Sequence, residues 1–175
     1  TYPAALFHQT TSYSLGASSG YVFSAKDGDI LASTDESGIF NAVTLDETGA
    51  VTQLTQSNDD AIYAQSFFPE DDRILLTSDV CGDEIFHVYV REEDGTLRDL
   101  TPGAEVRASV VGWRGDGEVF YVQTNERDPE TNDLYAYQAR DYSRELIFQN
   151  DGKDIAGLSP NGRWLALAQH VPLDC

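Results

Sequence analysis

Short apolar runs recur along the chain at a nearly constant step. Ile30-Leu31-Ala32, Ile74-Leu75-Leu76, Val119-Phe120-Tyr121-Val122 and Trp164-Leu165-Ala166-Leu167 each follow at once on a polar cluster. Those clusters are Lys26-Asp27-Gly28, Glu70-Asp71-Asp72, Gly115-Asp116-Gly117 and Pro160-Asn161-Gly162, and they lie 44, 45 and 45 residues apart. Runs of this length predict strands rather than helices. Asp-Gly and Asn-Gly supply the positive φ of a tight hairpin, so each cluster predicts the turn between the first and second strands of a unit. Tyr21 to Phe23, just before the first cluster, accordingly reads as a strand.

Two further markers run in step with the first. Gly49-Ala-Val-Thr-Gln-Leu54-Thr55, Gly95-Thr-Leu-Arg-Asp-Leu100-Thr101 and the degenerate Asp141-Tyr-Ser-Arg-Glu-Leu146-Ile147 lie 46 residues apart. Asn41-Ala42-Val43, His87-Val88-Tyr89 and Asp133-Leu134-Tyr135 keep the same 46-residue step, each opening with a polar residue before a strand-forming pair. A fixed period of this size means stacked supersecondary units. The predicted unit is strand, turn, strand, variable loop, strand, turn and a closing strand ending in Leu-Thr.

Four antiparallel strands in about 45 residues make one blade of a β-propeller, so the predicted fold is all-β. The expected units are an N-terminal extension over 1–11, blade 1 over 12–55, blade 2 over 56–101, blade 3 over 102–148, and the first half of blade 4 over 149–175. No amphipathic helix of convincing length is expected. Closed propellers typically need 4 to 8 blades, and this chain supplies about three and a half. The last strand pair, Ile155 to Leu158 and Arg163 to Gln169, would leave an open edge for another chain, as in an oligomer, or for further sequence to cover. That edge, the start at Thr1 and the absence of Met predict a fragment, or the ordered part, of a longer protein.

At 175 residues and 41% hydrophobic content the chain can bury a sizeable core. No segment reaches the ~18 apolar residues of a membrane span, so no membrane partner is expected. No signal peptide is visible, and the compartment stays open, with the cytoplasm slightly favoured over the periplasm. Eleven basic residues against 30 acidic ones give a net charge of −19. A surface this negative repels phosphate backbones and excludes nucleic acid as a partner. The acids cluster at Asp59-Asp60, Glu70-Asp71-Asp72, Asp83-Glu84 and Glu92-Glu93-Asp94, and read as solvated turns ahead of a site for a basic partner.

Catalytic and metal chemistry finds little support. Cys81 and Cys175 do not define a disulfide framework, and neither has a ligand at zinc spacing. His8, His87 and His170 stand apart, and His87 reads as a polar group satisfying backbone at a strand start. Gly16-Ala17-Ser18-Ser19-Gly20 fits the G-x-S-x-G nucleophile elbow in letters only, because an elbow must follow a buried strand and open a helix. Asp128-Pro129-Glu130-Thr131-Asn132-Asp133 alternates oxygen ligands but has Asp133 and Ala139 where a calcium loop needs glycine and glutamate, so it reads as an Asx-rich loop. No cofactor and no metal are expected, and no catalytic residue is assigned.

The runs Gly82-Asp83-Glu84-Ile85-Phe86-His87-Val88-Tyr89, Gly95-Thr96-Leu97-Arg98-Asp99-Leu100-Thr101-Pro102-Gly103 and Asn125-Glu126-Arg127-Asp128-Pro129 resemble the propeller of prolyl-oligopeptidase-family (S9) serine peptidases, nearest the acylaminoacyl-peptidase branch. Leu158-Ser159-Pro160-Asn161-Gly162-Arg163 resembles the turns of that family and of TolB-like propellers. Three positions depart from the pattern: Asp72 and Asp141 stand where turn glycines are expected, and Trp113-Arg114-Gly115 replaces a Ser-Pro step. The resemblance implies a non-catalytic propeller that gates and orients peptides for an α/β-hydrolase domain lying outside this sequence. The polar starts of the inner strands, Gln65, Ser66, Arg107, Ser109 and Asp154, would then line the channel, and the negative charge would favour positively charged peptide ends. Glu92-Glu93 invites comparison with the acidic amine anchor of dipeptidyl-type relatives, but its place between strands favours solvated turn residues. The alternative is a stand-alone TolB-like propeller acting as a protein-protein binding module.

Overall fold

The computed structural model describes residues 10–16 and 20–169. Among the described residues fourteen strands form four sheets. The first holds β1 (Tyr13–Leu15), β2 (Ile30–Thr34), β3 (Asn41–Leu45) and β4 (Val51–Gln53). The second holds β5 (Ile62–Phe67), β6 (Ile74–Ser78), β7 (His87–Arg91) and β8 (Leu97–Asp99). The third holds β9 (Ala108–Trp113), β10 (Val119–Asp128), β11 (Thr131–Gln138) and β12 (Arg144–Phe148). β13 (Asp154–Leu158) and β14 (Leu165–Ala168) form a two-stranded sheet. Every strand pairs antiparallel with its sequence neighbour inside its sheet, and no helix occurs among the described residues. These are the expected three and a half meandering blades.

The apolar runs are continuous because the central strands bury both faces. Side chains alternate across a strand, so Ile74 and Leu76 pack with Leu31, Ala42, Ile62 and Phe67 between the first and second sheets. Leu75, one step out of phase, joins Phe68, Val88, Val90, Phe120, Val122 and Tyr137 between the second and third. β10 repeats the arrangement, sending Phe120 and Val122 to that layer while Val119 and Tyr121 pack toward Ile155, Leu158 and Leu165 of the last sheet. Each sheet therefore supplies one face to each neighbour.

The 46-residue step has a hydrogen-bonding cause. Asn41 opens β3, accepts the Ser57 N–H on Oδ1 at 2.7 Å and donates Nδ2 to the Ser57 carbonyl at 3.0 Å. One unit later His87 opens β7, with Nδ1 2.8 Å from Asp99 and Nε2 3.0 Å from the Gly103 carbonyl. In the third blade Asp133 accepts the Asn150 N–H at 2.8 Å. Each polar strand start thus fastens the segment that leaves the blade for the next one, and the reading of His87 as a group satisfying backbone holds. The closing threonines act beside it: Thr55 Oγ1 accepts the Ala42 N–H at 2.9 Å and Thr101 Oγ1 accepts the Val88 N–H at 3.0 Å.

Thr101→Val should therefore cost about 1–2 kcal/mol by stranding the buried Val88 N–H. Thr101→Ser, which keeps the hydroxyl, should lose only the buried methyl, about 1 kcal/mol or less. Urea denaturation of both variants checks this; equal losses would show that the hydroxyl contributes nothing.

Three local expectations need correction. The left-handed position in the third closing turn is Tyr142, with φ 60°, and not Asp141. Tyrosine tolerates it because its hydroxyl bonds Arg73 and Glu92 and its ring lies under the Arg73 and Arg98 guanidinium groups. Asp72 takes no left-handed conformation, because that turn closes differently, through Arg73 bound to Asp71 on two oxygens. The inner strand of blade 1 is not Tyr21 to Phe23 alone. It is split into β1, paired with Ala32 to Thr34, and a second piece in which Phe23 bridges Ile30 and Val22 accepts the Leu31 N–H.

That split sits where the other inner strands carry a bulge. Register shifts fall at Gln65 in β5, beside Val110 in β9 and beside Ala156 in β13. In blade 1 the same place falls between β1 and the Val22 contact to Leu31. Gly20 lies so close to Ser66 that a Cβ would come within 2.6 Å of it, which accounts for glycine there.

Candidate functional site

The inner strands of the three complete blades converge on a cavity of about 580 Å³. Ser14 and Leu15 come from β1, Tyr63 to Gln65 from β5, and Arg107 to Ser109 from the start of β9, with Ser33, Thr77 and Gln123 behind them on the second strands. Gln65 Nε2 donates to Thr77 Oγ1 at 2.9 Å, and Gln123 Nε2 donates to Ser109 Oγ at 2.8 Å. The Gln65 bulge aims this amide across the strand pair. Arg107 is fixed through its backbone, its N–H donating to Asn125 Oδ1 at 2.7 Å and its carbonyl accepting the Asn125 N–H at 3.1 Å. Its guanidinium is exposed, and no carboxylate pairs with it among the described residues. Glu84, Phe86 and Asn132 complete the wall.

Of the expected channel residues, Gln65, Arg107 and Ser109 meet at this cavity, whereas Ser66 and Asp154 do not line it. Ser66 is fully buried; its hydroxyl accepts the Tyr21 N–H at 2.7 Å and the Trp113 indole N–H at 2.9 Å, and donates to the Phe67 carbonyl. The physical reason is the bulge, which places consecutive residues Gln65 and Ser66 in different surroundings. Ser66 therefore ties blade 1 to blade 3 through blade 2. Asp154 is exposed at the start of β13. Glu84, Tyr63 and Phe86 were not anticipated, because β5 and the loop after β6 show no chemical motif.

The other candidates fall in structural settings. Ala17 to Ser19, His8, His170 and Cys175 lie outside the described residues; Gly20 leads into a β-bridge at Tyr21, which is no setting for a nucleophile elbow. Asp128 caps the Glu130 N–H in the β10–β11 turn, as an Asx-rich loop should. Glu92 stands in the β7–β8 turn and bonds Tyr142. Cys81 is exposed.

Large electrostatic perturbations belong to ties between strands and blades. Hydrogen bonding to Asp71, against the cost of burial, raises the Arg73 guanidinium, which also donates to the Ala139 carbonyl and Tyr142 of the next blade. Burial, then the Glu126 hydrogen bond, pushes the Tyr135 hydroxyl up to about 12. Among the described residues no three His, Cys, Asp or Glu side chains are grouped to hold a metal ion. What the cavity offers is hydroxyls, amides, one cation, one carboxylate and aromatic side chains, a set suited to binding an extended polar chain.

No family model matches the chain. Dipeptidyl aminopeptidase BIII of Pseudoxanthomonas mexicana is 30% identical over 115 residues, a match that takes in 64% of this chain and 16% of that protein. TolB from Acinetobacter baumannii superposes with a TM-score of 0.57 at 18% identity, over 81% of this chain and 35% of its own. A TolB-like protein from Agrobacterium tumefaciens gives 0.56 at 21% identity, over 73% of this chain and 45% of that one. The chain has the β-propeller fold. A prolyl endopeptidase structure shares the segment's fold with a TM-score of 0.57 at 12% identity, over 78% of this chain and 22% of the enzyme. Together with the aminopeptidase match, these likenesses support the resemblance to S9-type propellers read from blades 2 and 3.

Proposed function

We propose that this segment is the propeller of a serine peptidase, where it gates and orients peptides for a hydrolase domain outside this sequence. The observation that carries the reading is the 30% identity with a dipeptidyl aminopeptidase over 115 residues. The converging inner strands add a physical basis, since Gln65, Arg107 and Ser109 offer hydrogen-bonding groups and a positive charge to a peptide backbone or carboxylate at one cavity. In this role the propeller selects by size and charge, and its own residues need no catalytic chemistry.

The comparable likeness to TolB favours a second reading, a stand-alone propeller whose surface binds another protein. Fold alone does not choose between them. A fluorophosphonate serine-hydrolase probe does so when applied to the full-length gene product. Covalent labelling, abolished by heat denaturation, is the expected result for the peptidase; an unlabelled, folded protein that is little longer than a closed propeller would overturn that reading in favour of the binding module.

A further inference from the structure

A second cavity, of about 670 Å³, opens beside the first and shares Tyr63, Glu84 and Phe86 with it. Asp59 and Asp79 complete its acidic side. Asp79 is only 5% exposed; its Oδ2 accepts the Glu84 N–H at a long 3.4 Å, and its Oδ1 has no hydrogen-bond partner. Buried carboxylates are ordinarily paired or fully hydrogen-bonded, because desolvation otherwise opposes the charge. None of Asp59, Asp79 and Glu84 forms an ion pair with another described residue.

The loop from Asp79 to Phe86 is held in an uncommon shape to present these groups. Cys81 and Glu84 both take left-handed backbone, at φ 52° and 61°, with Gly82 between them at 77°. Non-glycine residues in that region gather where function over-determines the backbone. The same cavity is lined by two aromatic rings, Tyr63 and Phe86, with centroids 6.1 Å apart, and Phe40 lies 5.0 Å from Tyr63. Carboxylates and aromatic rings lining one cavity suit a flat or alkylated organic cation, which gains charge pairing from the acids and cation–π attraction from the rings. The carboxylates are not gathered as a metal would require.

We propose that this pocket binds the cationic side chain of a basic residue, arginine or lysine, in a peptide lying along the adjoining cavity. The peptide context rests on the gating reading above; the cation pocket itself does not.

Isothermal titration of the full-length protein with N-acetyl-arginine amide, N-acetyl-lysine amide and the uncharged isostere N-acetyl-citrulline amide tests it. The charged probes should bind, with the better of the two identifying a guanidinium or an ammonium pocket, and citrulline should bind at least about tenfold more weakly. Asp79→Asn should weaken the charged probe by roughly tenfold to a hundredfold. Should that variant fail to fold, the exposed pair Asp59→Asn with Glu84→Gln carries the test, and a several-fold loss is expected. Absence of charged-probe binding, equal affinity for citrulline, or indifference to these substitutions would overturn the proposal. Fluorophosphonate labelling of the same preparation separates the two readings. Labelled protein that ignores arginine and lysine sinks the pocket alone, while binding without labelling keeps the pocket and sinks the peptidase.

Discussion

Phe68→Ala should destabilise the propeller by about 4 kcal/mol, the loss expected when a large ring is removed from a packed core. Phe68 follows β5 and is 1% exposed. Its ring meets Trp113, Phe120 and Tyr142 edge-on, with centroids at 5.1, 5.8 and 6.1 Å. The Arg73 guanidinium lies 4.1 Å above it. All three partner rings belong to the third sheet or its turns, so this one side chain joins blades 2 and 3. Its removal takes apolar area from the interface and leaves a cavity that four neighbours cannot all collapse to fill. Phe68→Leu retains most of the volume and should cost about 1.5 kcal/mol or less. Urea midpoints for the two variants provide the check. Nearly equal, small losses would mean that the ring cluster contributes little beyond area.

The same interface explains what could be read from the chain. Ile74-Leu75-Leu76 stands out as a run because neighbouring sheets cover both of its faces, and the strand is legible before any contact is known. The 46-residue step is legible because Asn41, His87 and Asp133 repeat one task at one place, fastening Ser57, Gly103 and Asn150. The third Leu-Thr copy decays to Leu146-Ile147, in the blade where Arg127 reinforces the Asp133 fastening.

Bulges were not legible. A single extra residue at Gln65 alters the alternation, so Ser66, which looked like a channel residue, enters the interior as the acceptor for Trp113. In blade 1 β1 ends at Leu15 and pairing with β2 is seen again at Val22 and Phe23, and no local propensity announces that resumption. Asp79 was equally hidden. It reads as one more acid after an apolar strand, and its significance arises only from burial, from the left-handed loop that follows and from the Tyr63 ring supplied by β5.

Asp133→Asn should lower stability at neutral pH by about 2 kcal/mol, and the deficit should shrink in acid. The Asp133 side chain is 1% exposed, and Arg127 grips both of its oxygens, Nε to Oδ2 at 2.5 Å and Nη2 to Oδ1 at 2.9 Å. Asn150 adds its N–H, and Arg127 also reaches the Asn150 carbonyl at 3.1 Å, so four groups close the exit from the third blade. The Arg127 hydrogen bonds, against the opposing cost of burial and with help from the Asn150 N–H, hold the Asp133 carboxyl below the usual aspartate range. Asparagine keeps the shape and can still accept the Asn150 N–H, but it loses the charge. The figure stays at the low end for a broken ion pair because Arg127 is partly exposed and regains water. A carboxyl whose folded pKa is depressed contributes fully above its unfolded value of about 3.9, and that contribution drains away as the pH falls through the lower folded value. The wild-type and variant urea midpoints should therefore stay separated from pH 7 down to about pH 4 and approach each other below it. A separation that persists undiminished to pH 2 would show that Asp133 does not couple its proton to folding, and that the deficit arises from lost shape at the blade exit.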